Sequence, residues 1–301
     1  MADVFVAGSI NQDFVLSVER RPAPGETVTD ARLATHNGGK GANQAAAAAL
    51  LGASVAFLGR VGDDGFGGPL VRGLSEKGVD TGLVQEVPGS STGAAFITVT
   101  PDGENAITVA PGANRRLTAQ DVDDASESIE GAQVLVAQME IPPEVVLRAV
   151  EVAAGSGTRA LVNLAPPFEV PRALLEKLDP LVINEHEAAF LLGEGVEGVD
   201  GALDAAPRLL SLGPASVVVT LGEDGAVFSG SEAAKHLPAP RVEVVDTTGA
   251  GDAFVGALSA RLAEDAPLEN AVAYAVRAGA AAVTEAGAQG ALPTPETVDA
   301  L

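Results

Sequence analysis

The segment with the clearest chemical meaning is a nine-residue run with two glycines and two aspartates, Asp246-Thr247-Thr248-Gly249-Ala250-Gly251-Asp252-Ala253-Phe254. We expect it to form a turn after a strand over 241–245 and to lead into a helix over 253–262. Unpaired amides at a helix N-terminus attract an anion, and glycines let a phosphate approach the backbone. Asp252 would lie beside that phosphate, where a carboxylate can take a proton from an attacking hydroxyl. An aspartate that merely caps the helix is the alternative.

Polar residues follow five short apolar runs, over 4–7, 134–137, 160–162, 181–183 and 217–219. These polar residues are, in chain order, Asn11 and Asp13, Gln138 and Glu140, Asn163, Asn184, and Thr220. The carboxyl ends of strands in an open parallel sheet form the ligand crevice. Amides and carboxylates can hydrogen-bond vicinal hydroxyls in pairs. We therefore predict a polar cleft suited to a hydroxyl-rich ligand.

The fold class follows from the alternation of apolar runs with helix-like stretches over 42–51, 70–77, 143–154, 185–192 and 202–212. This order predicts an α/β fold with a doubly wound, mainly parallel sheet flanked by helices. Two segments, roughly 14–36 and 92–109, break the alternation. Their turn signals, Pro22-Ala23-Pro24-Gly25 and Pro101-Asp102-Gly103, predict hairpins that form a small β-flap. No linker divides the chain, so we expect residues 1–301 to form one domain with these segments inserted.

The composition excludes several classes of protein. The 301 residues carry a formal net charge of −23 and no cysteine, so disulfides, thiolate metal sites and cysteine nucleophiles are excluded. Such a charge disfavours binding to nucleic acid or to an anionic membrane. With no apolar run long enough to span a bilayer and no secretory signal, we expect a cytoplasmic protein. Only four of the 18 basic residues are lysine, which suggests a protein adapted to concentrated salt; an ordinary acidic protein is the alternative.

Common catalytic motifs are missing. The segment Gly38-Gly39-Lys40-Gly41-Ala42-Asn43-Gln44-Ala45 is not a Walker A loop, and no Gly-x-Gly-x-x-Gly follows the first predicted strand. The chain also lacks Gly-x-Ser-x-Gly, and its three histidines do not have metal-binding spacing. A P-loop enzyme, a nicotinamide dehydrogenase and an α/β-hydrolase are therefore unsupported.

The motifs together resemble the PfkB-type family of sugar and nucleoside kinases, over nearly the whole chain. The resemblance is carried by the opening run and by Gly8-Ser9-Ile10-Asn11 with Asp13, Pro24-Gly25-Glu26-Thr27, Gly38 to Ala45, Gly62-Asp63-Asp64, Pro111-Gly112-Ala113-Asn114, Gln138-Met139-Glu140, Asn184-Glu185-His186-Glu187 and Thr220-Leu221-Gly222-Glu223-Asp224-Gly225. Within the family, Gly38 to Ala45 is similar to the members that phosphorylate ribose.

The resemblance implies a role for each matching position. Residues that would hold the sugar are Asn11, Asp13, Gly39, Lys40, Asn43 and Glu140, with Asp252 as the base. The anion hole would be Gly249, Ala250 and Gly251. Nucleotide binding would involve Asn184, Glu187, Thr220, Gly222, Glu223, Gly225, Gly251 and Val276, with Glu187 organising the water shell of Mg²⁺. A potassium site would map to Asp246, Thr248, Ala282, Glu285, Gly287 and Ala291.

The implied reaction is ATP-dependent phosphorylation of D-ribose at its 5-hydroxyl. The alternatives are a family kinase for 2-deoxyribose, a nucleoside or a ketohexose, and a non-catalytic protein that senses a sugar or nucleotide. The resemblance further implies that the β-flap closes over the sugar as a lid and that two subunits pair through their lids.

Overall fold

The computed structural model describes residues 2–102 and 105–301. The strands are β1 Val4–Ala7, β2 Asn11–Ser17, β3 Arg32–Gly38, β4 Val55–Gly62, β5 Val79–Val87, β6 Gly93–Val99, β7 Asn105–Ala110, β8 Val134–Gln138, β9 Arg159–Asn163, β10 Leu181–Asn184, β11 Val217–Thr220, β12 Ala226–Ser229 and β13 Lys235–Leu237. The helices are α1 Lys40–Leu50, α2 Gly67–Glu76, α3 Ala119–Asp124, α4 Ser126–Glu130, α5 Pro143–Ser156, α6 Arg172–Leu175, α7 Glu185–Leu192, α8 Gly198–Ser211, α9 Ala250–Ala263, α10 Leu268–Ala282 and α11 Pro295–Asp299.

A nine-stranded sheet in the order β13-β12-β11-β10-β9-β8-β1-β4-β5 forms the centre of the molecule. Its strands are parallel from β11 to β5, whereas β12 and β13 pair antiparallel. One hydrophobic cluster covers each face of the sheet. This arrangement confirms the predicted doubly wound, mainly parallel fold, and unbroken apolar strands are what two buried faces require.

The parallel register places the predicted polar residues at one edge of the sheet. Gln138 pairs with Asn163 at the ends of β8 and β9, and Asn184 pairs with Thr220 at the ends of β10 and β11. The strands β11, β10, β9, β8 and β1 are consecutive neighbours. The direction of winding changes at β1, which lies between β8 and β4. A crevice at the carboxyl ends of the strands is expected at such a switch point.

A second, four-stranded sheet in the order β3-β2-β6-β7 is formed by the two segments that break the α/β alternation. The pairs β2–β3 and β6–β7 are antiparallel, as expected of hairpins. Gly103, part of a predicted turn, lies outside the described residues. Apolar residues are exposed on both of its faces: Leu33, which is 61% exposed, points to one face, and Ile107, which is 57% exposed, points to the other.

The prediction of a strand over 241–245 is wrong. The segment forms no strand, and Val244 and Val245 are about 60% exposed. The amide of Val245 donates to the carbonyl of Val283, which belongs to a turn rather than to a strand. Valine-rich composition favours extended backbone, yet a strand also needs a neighbouring strand to pair with. The same reasoning missed β5, because its sequence lacks a continuous apolar run.

Close packing of α1 against α9 brings the two glycine-containing motifs together. A Cβ atom on Gly256 of α9 would lie 2.5 Å from the Cβ of Ala47 and 2.7 Å from the carbonyl oxygen of Gln44. A larger residue would therefore push the helices apart.

Of the helices in the described part of the chain, none is long and apolar enough to span a bilayer.

We expect Gly256→Ala to lower the free energy of unfolding by about 1–3 kcal/mol, because overpacking forces the two helices apart. Gly155→Ala is the matched control, since Gly155 lies exposed in α5 with open space around its would-be Cβ atom. The control should be neutral or stabilising by up to about 1 kcal/mol, from helix propensity. Urea unfolding measures both. Equal stability of the two variants would contradict the close packing.

Candidate active site

Asp252 lies in the first turn of α9 and is held by two side-chain amides. Gly249 precedes the helix in the left-handed conformation, with φ of 81°, and makes no side-chain cap. The amide nitrogen of Asn43 donates to Oδ2 of Asp252 at 2.9 Å, and that of Gln44 donates to Oδ1 at 3.0 Å. Asp252 is therefore not the N-cap of α9, and the capping alternative does not account for it.

Burial dominates the electrostatics of Asp252. Its side chain is 8% exposed. Burial raises the pKa of Asp252, while the charge of Lys40 and the hydrogen bonds from Asn43 and Gln44 act in the opposite direction. Burial alone would lower the pKa of Lys40, but the carboxylates of Asp252, Glu140 and Glu187 raise it above its ordinary value. Lys40 is thus a fixed positive charge that compensates a cluster of carboxylates.

Glu140 joins three segments of the chain around a single carboxylate oxygen. Its Oε2 accepts from the hydroxyl of Ser9 at 2.6 Å, the backbone amide of Lys40 at 3.1 Å and the side-chain amide of Asn11 at 3.5 Å. The side chain of Asn114 in turn donates to Oδ1 of Asn11 at 2.7 Å and also bonds the backbone of Ile10. The amide and the carboxylate are therefore held in fixed orientations.

Asp13 is a strongly perturbed carboxyl of the site. Burial, followed by the charges of Glu140 and Asp252, raises its pKa to about 7. Its buried Oδ1 has no hydrogen-bond partner in the described structure. A buried, unpaired acceptor is costly unless a ligand satisfies it. Asp13 is therefore suited to accepting a hydrogen bond from a ligand hydroxyl.

A cleft of ≈ 140 Å³ connects Asp252 with the carboxyl ends of the strands. Its polar lining residues are Lys40, Asn163, Asn184, Glu187, Thr220 and Asp252, together with Gly249 and Gly251. At its edge, Asn184 caps α7: its Oδ1 accepts from the amide of Glu187, and Oε2 of Glu187 accepts from the amide of Asn184. This capping box holds the Glu187 carboxylate at the cleft.

The profile of the pfkB family carbohydrate kinases matches residues 1–295 of the sequence. The chain belongs to this family. The predicted enzyme class, a sugar kinase, is thereby confirmed.

Relatives of this kinase match along nearly its full length. A ribokinase of Staphylococcus aureus is 38% identical over 299 residues, covering 98% of each protein. A deoxyribokinase of Salmonella typhi is 37% identical over 295 residues, covering 98% of this chain and 96% of that protein. The structure of Arabidopsis thaliana ribokinase complexed with ribose and ATP has a TM-score of 0.91 and is 31% identical, with 99% of this kinase and 98% of that chain covered.

Only some of the residues predicted to bind the nucleotide line the cleft. Asn184, Glu187, Thr220 and Gly251 lie at the cleft. Within the described chain, the lining of this cleft does not include the turn residues Gly222, Glu223 and Gly225, or Val276. The three turn residues lie between β11 and β12, and Val276 is buried in α10.

The residues predicted for potassium are partly brought together by Asp246. Its Oδ1 accepts from the amide of Thr248 at 2.9 Å, and its Oδ2 accepts from the amide of Gly287 at 2.8 Å. Ala282 ends α10, and Glu285 and Ala291 lie in the segment that follows it. Across residues 2–102 and 105–301, no group of three or more His, Cys, Asp or Glu side chains could hold a metal ion. The resemblance assigns several of the potassium ligands to backbone carbonyls, so the predicted site does not depend on such a group.

Sequence reasoning assigned no role to three residues that position the site, Ser9, Gln44 and Asn114. Gln44 could have been identified from the sequence pattern, because it is a polar residue in an alanine-rich helix of the core. A buried amide needs hydrogen-bond partners. In the structure those partners include Asp252.

We expect ligand-free Asp13→Asn to be more stable than the parent protein at pH 8. An acid with a raised folded-state pKa binds its proton more tightly when folded, so its ionisation lowers stability as the pH rises from about 4 to about 7. The gain should be roughly 1–4 kcal/mol at pH 8 and should shrink steadily towards pH 4.

Urea unfolding at pH 8, 6 and 4.5 measures this difference. Asp204→Asn, at an exposed position of α8, is the control and should show no such trend. A stability gain for Asp13→Asn that is the same at all three pH values would contradict the raised pKa.

Proposed function

We propose that this protein transfers the γ-phosphoryl group of ATP to the 5-hydroxyl of D-ribose. The observation that carries the proposal is Asp252, a buried carboxylate at the start of a helix whose N-terminal glycines lie at the same cleft. The relatives named as ribokinases, including one complexed with ribose and ATP, support the choice of substrates.

In the proposed reaction Asp252 takes the proton of the 5-hydroxyl as its oxygen attacks the γ-phosphorus. The new bond joins that oxygen to phosphorus, and the bond from phosphorus to the β,γ-bridging oxygen breaks, so ADP leaves. Backbone amides of Gly249, Ala250 and Gly251 would stabilise the equatorial oxygens in the transition state. In-line transfer requires positioning and charge stabilisation rather than a covalent intermediate.

The sugar would be held by Asn11, Asp13, Gly39, Lys40, Asn43 and Glu140. Asp13 supports this assignment because its buried Oδ1 lacks a partner in the described structure. Glu140 and Asn11 are already oriented by Ser9 and Asn114. These groups would serve ribose and 2-deoxyribose nearly alike. A deoxyribokinase among the relatives keeps 2-deoxyribose as the second candidate.

The nucleotide would enter from the side of Asn184 and Glu187, and the turn Gly222–Asp224 with Gly225 after β11 and Val276 of α10 would contribute to its binding. Glu187 is a buried carboxylate at the cleft, which suits organisation of the water shell of Mg²⁺. When bound, Mg²⁺ would neutralise charge on the ATP phosphates. Lys40 adds a positive charge at the same cleft.

A potassium ion would be held by Asp246, Thr248, Ala282, Glu285, Gly287 and Ala291. Oxygen donors from carboxylate and carbonyl groups suit a hard cation. Asp246 supports the site because its carboxylate bridges the turn before α9 and the segment after α10. A cation there would stiffen the turn that contains Gly249.

The four-stranded sheet would act as a lid over the sugar and as the contact between two subunits. Its exposed apolar residues Leu33, Phe96, Ile107 and Val109 support a protein contact. The net charge of −23 supports activity in concentrated salt, where screening weakens self-repulsion. A protein that only senses a sugar would not need the base Asp252.

Replacing Asp252 by Asn should lower kcat by about 10²–10⁴, the range for a positioned acid–base group. Ribose affinity should change far less, because the sugar contacts elsewhere remain. A coupled assay of ADP formation measures kcat, and titration calorimetry measures ribose binding. Near-full activity of a folded Asp252→Asn variant would rule out the assignment.

Turnover with ribose should be higher in KCl than in NaCl at equal concentration. Asp246→Asn removes the charge that would hold the cation, so we expect most of the preference for potassium to disappear. Initial rates in the two salts, with 2-deoxyribose, fructose and a nucleoside as further acceptors, measure both points. An unchanged potassium-to-sodium ratio in Asp246→Asn would contradict the predicted site.

A further inference from the structure

Three buried amide side chains form a connected chain behind Asp252. The amide nitrogen of Gln138 donates to Oε1 of Gln44 at 2.7 Å. The nitrogen of Gln44 donates both to Oδ1 of Asp252 at 3.0 Å and to Oδ1 of Asn163 at 3.1 Å. The nitrogen of Asn163 donates to the backbone carbonyl of Val182 at 3.2 Å. The amide side chains are 9% exposed or less.

The direction of every hydrogen bond in this chain is fixed by its two ends. An ionised carboxylate and a backbone carbonyl can only accept. The carbonyl of Val182 therefore requires the nitrogen of Asn163 to face it, which turns the oxygen of Asn163 towards Gln44. The Asp252 carboxylate makes the same demand on Gln44. With both hydrogens of its amide nitrogen used, Gln44 presents its oxygen to Gln138.

Reversing the amide of Gln44 would place its oxygen against two other acceptor oxygens. Protonating Oδ1 on its side towards Gln44 would set two donors against each other. The chain therefore matches the charged form of Asp252 and opposes a protonated form at that contact.

We propose that Gln44 is a positioning residue that keeps Asp252 ionised and aimed at the cleft, that Asn163 fixes the direction in which Gln44 donates, and that Gln138 satisfies the oxygen of Gln44 in that orientation. This inference rests on the proposed role of Asp252 as the base. It extends that role, because it assigns the state of the base to residues that lie behind it.

Other charges also act on Asp252, and the variants below leave them in place. Lys40 faces it from α1, Glu140 from the segment after β8, and Asp13 from β2. Glu187 of α7 lines the same cleft. A change in pH dependence after replacing Gln44 would therefore report the lost hydrogen bond rather than the loss of a charge.

The test is the pH dependence of kcat for ribose phosphorylation in the parent protein, Gln44→Met and Gln138→Met. Methionine keeps the length of the side chain and removes its hydrogen bonds. For Gln44→Met we expect the acidic limb to move up by about one pH unit, with roughly tenfold lower kcat below it, since hydrogen bonding to a charged form favours that form. For Gln138→Met, which leaves the oxygen of Gln44 without its donor and so weakens the hold on its orientation, we expect a smaller shift in the same direction.

The control is Gln120→Met, because Gln120 is exposed and bonds only Asp124 in the described structure. Its acidic limb should match that of the parent protein. Ribose binding, measured by calorimetry, should be nearly unchanged in all three variants, because the proposed sugar contacts remain. A merely structural defect would instead weaken ribose binding and lower kcat without moving the acidic limb.

Unmoved limbs in folded Gln44→Met and Gln138→Met, alongside an inactive Asp252→Asn, would overturn this inference and leave the proposed base in place. An active Asp252→Asn would instead overturn the proposed function. If Gln44→Met does not fold, Gln138→Met decides, and an unmoved limb in that variant would overturn the inference.

Discussion

The proposed reaction depends on one buried carboxylate, which must stay charged to act as the base. Asp252 is almost fully removed from water, and burial raises its pKa. Two amides from the start of α1 and the charge of Lys40 oppose that effect. All three residues reach it because α1 and α9 lie in contact at Gly256. The proposed base, which must be both dry and ionised, therefore requires the close contact of these two helices.

The carboxylates of the site have different roles because their surroundings differ. The Glu140 oxygen accepts three hydrogen bonds and joins Ser9, Asn11 and Lys40. Asp13 lacks a partner for one buried oxygen in the described structure, and its pKa rises to about 7. The protein itself supplies the hydrogen bonds of Glu140, whereas Asp13 keeps an oxygen that a sugar hydroxyl would satisfy in the proposed complex. Both belong to the small set of residues that the two glycine-rich motifs bring together.

The fold and the polar cleft could be predicted from the sequence because both depend on local patterns. Unbroken apolar runs such as 217–219 identify buried parallel strands, and polar residues directly after them identify the crevice. The prediction of a strand over 241–245 failed because the exposure of Val244 and Val245 depends on neighbours far along the chain. The roles of Gln44 and Asn114 depend equally on distant partners, Asp252 and Asn11, which spacing in the sequence does not reveal.

The most direct test is a crystal structure with ribose and a non-hydrolysable ATP analogue. We expect one oxygen of Asp252 to lie within hydrogen-bond reach of the 5-hydroxyl, about 2.6–3.2 Å away. That hydroxyl should also point at the γ-phosphorus, with the phosphate on the amides of Gly249 to Gly251. A sugar whose 5-hydroxyl faces Asp13 or Glu140, with Asp252 out of reach, would contradict the account.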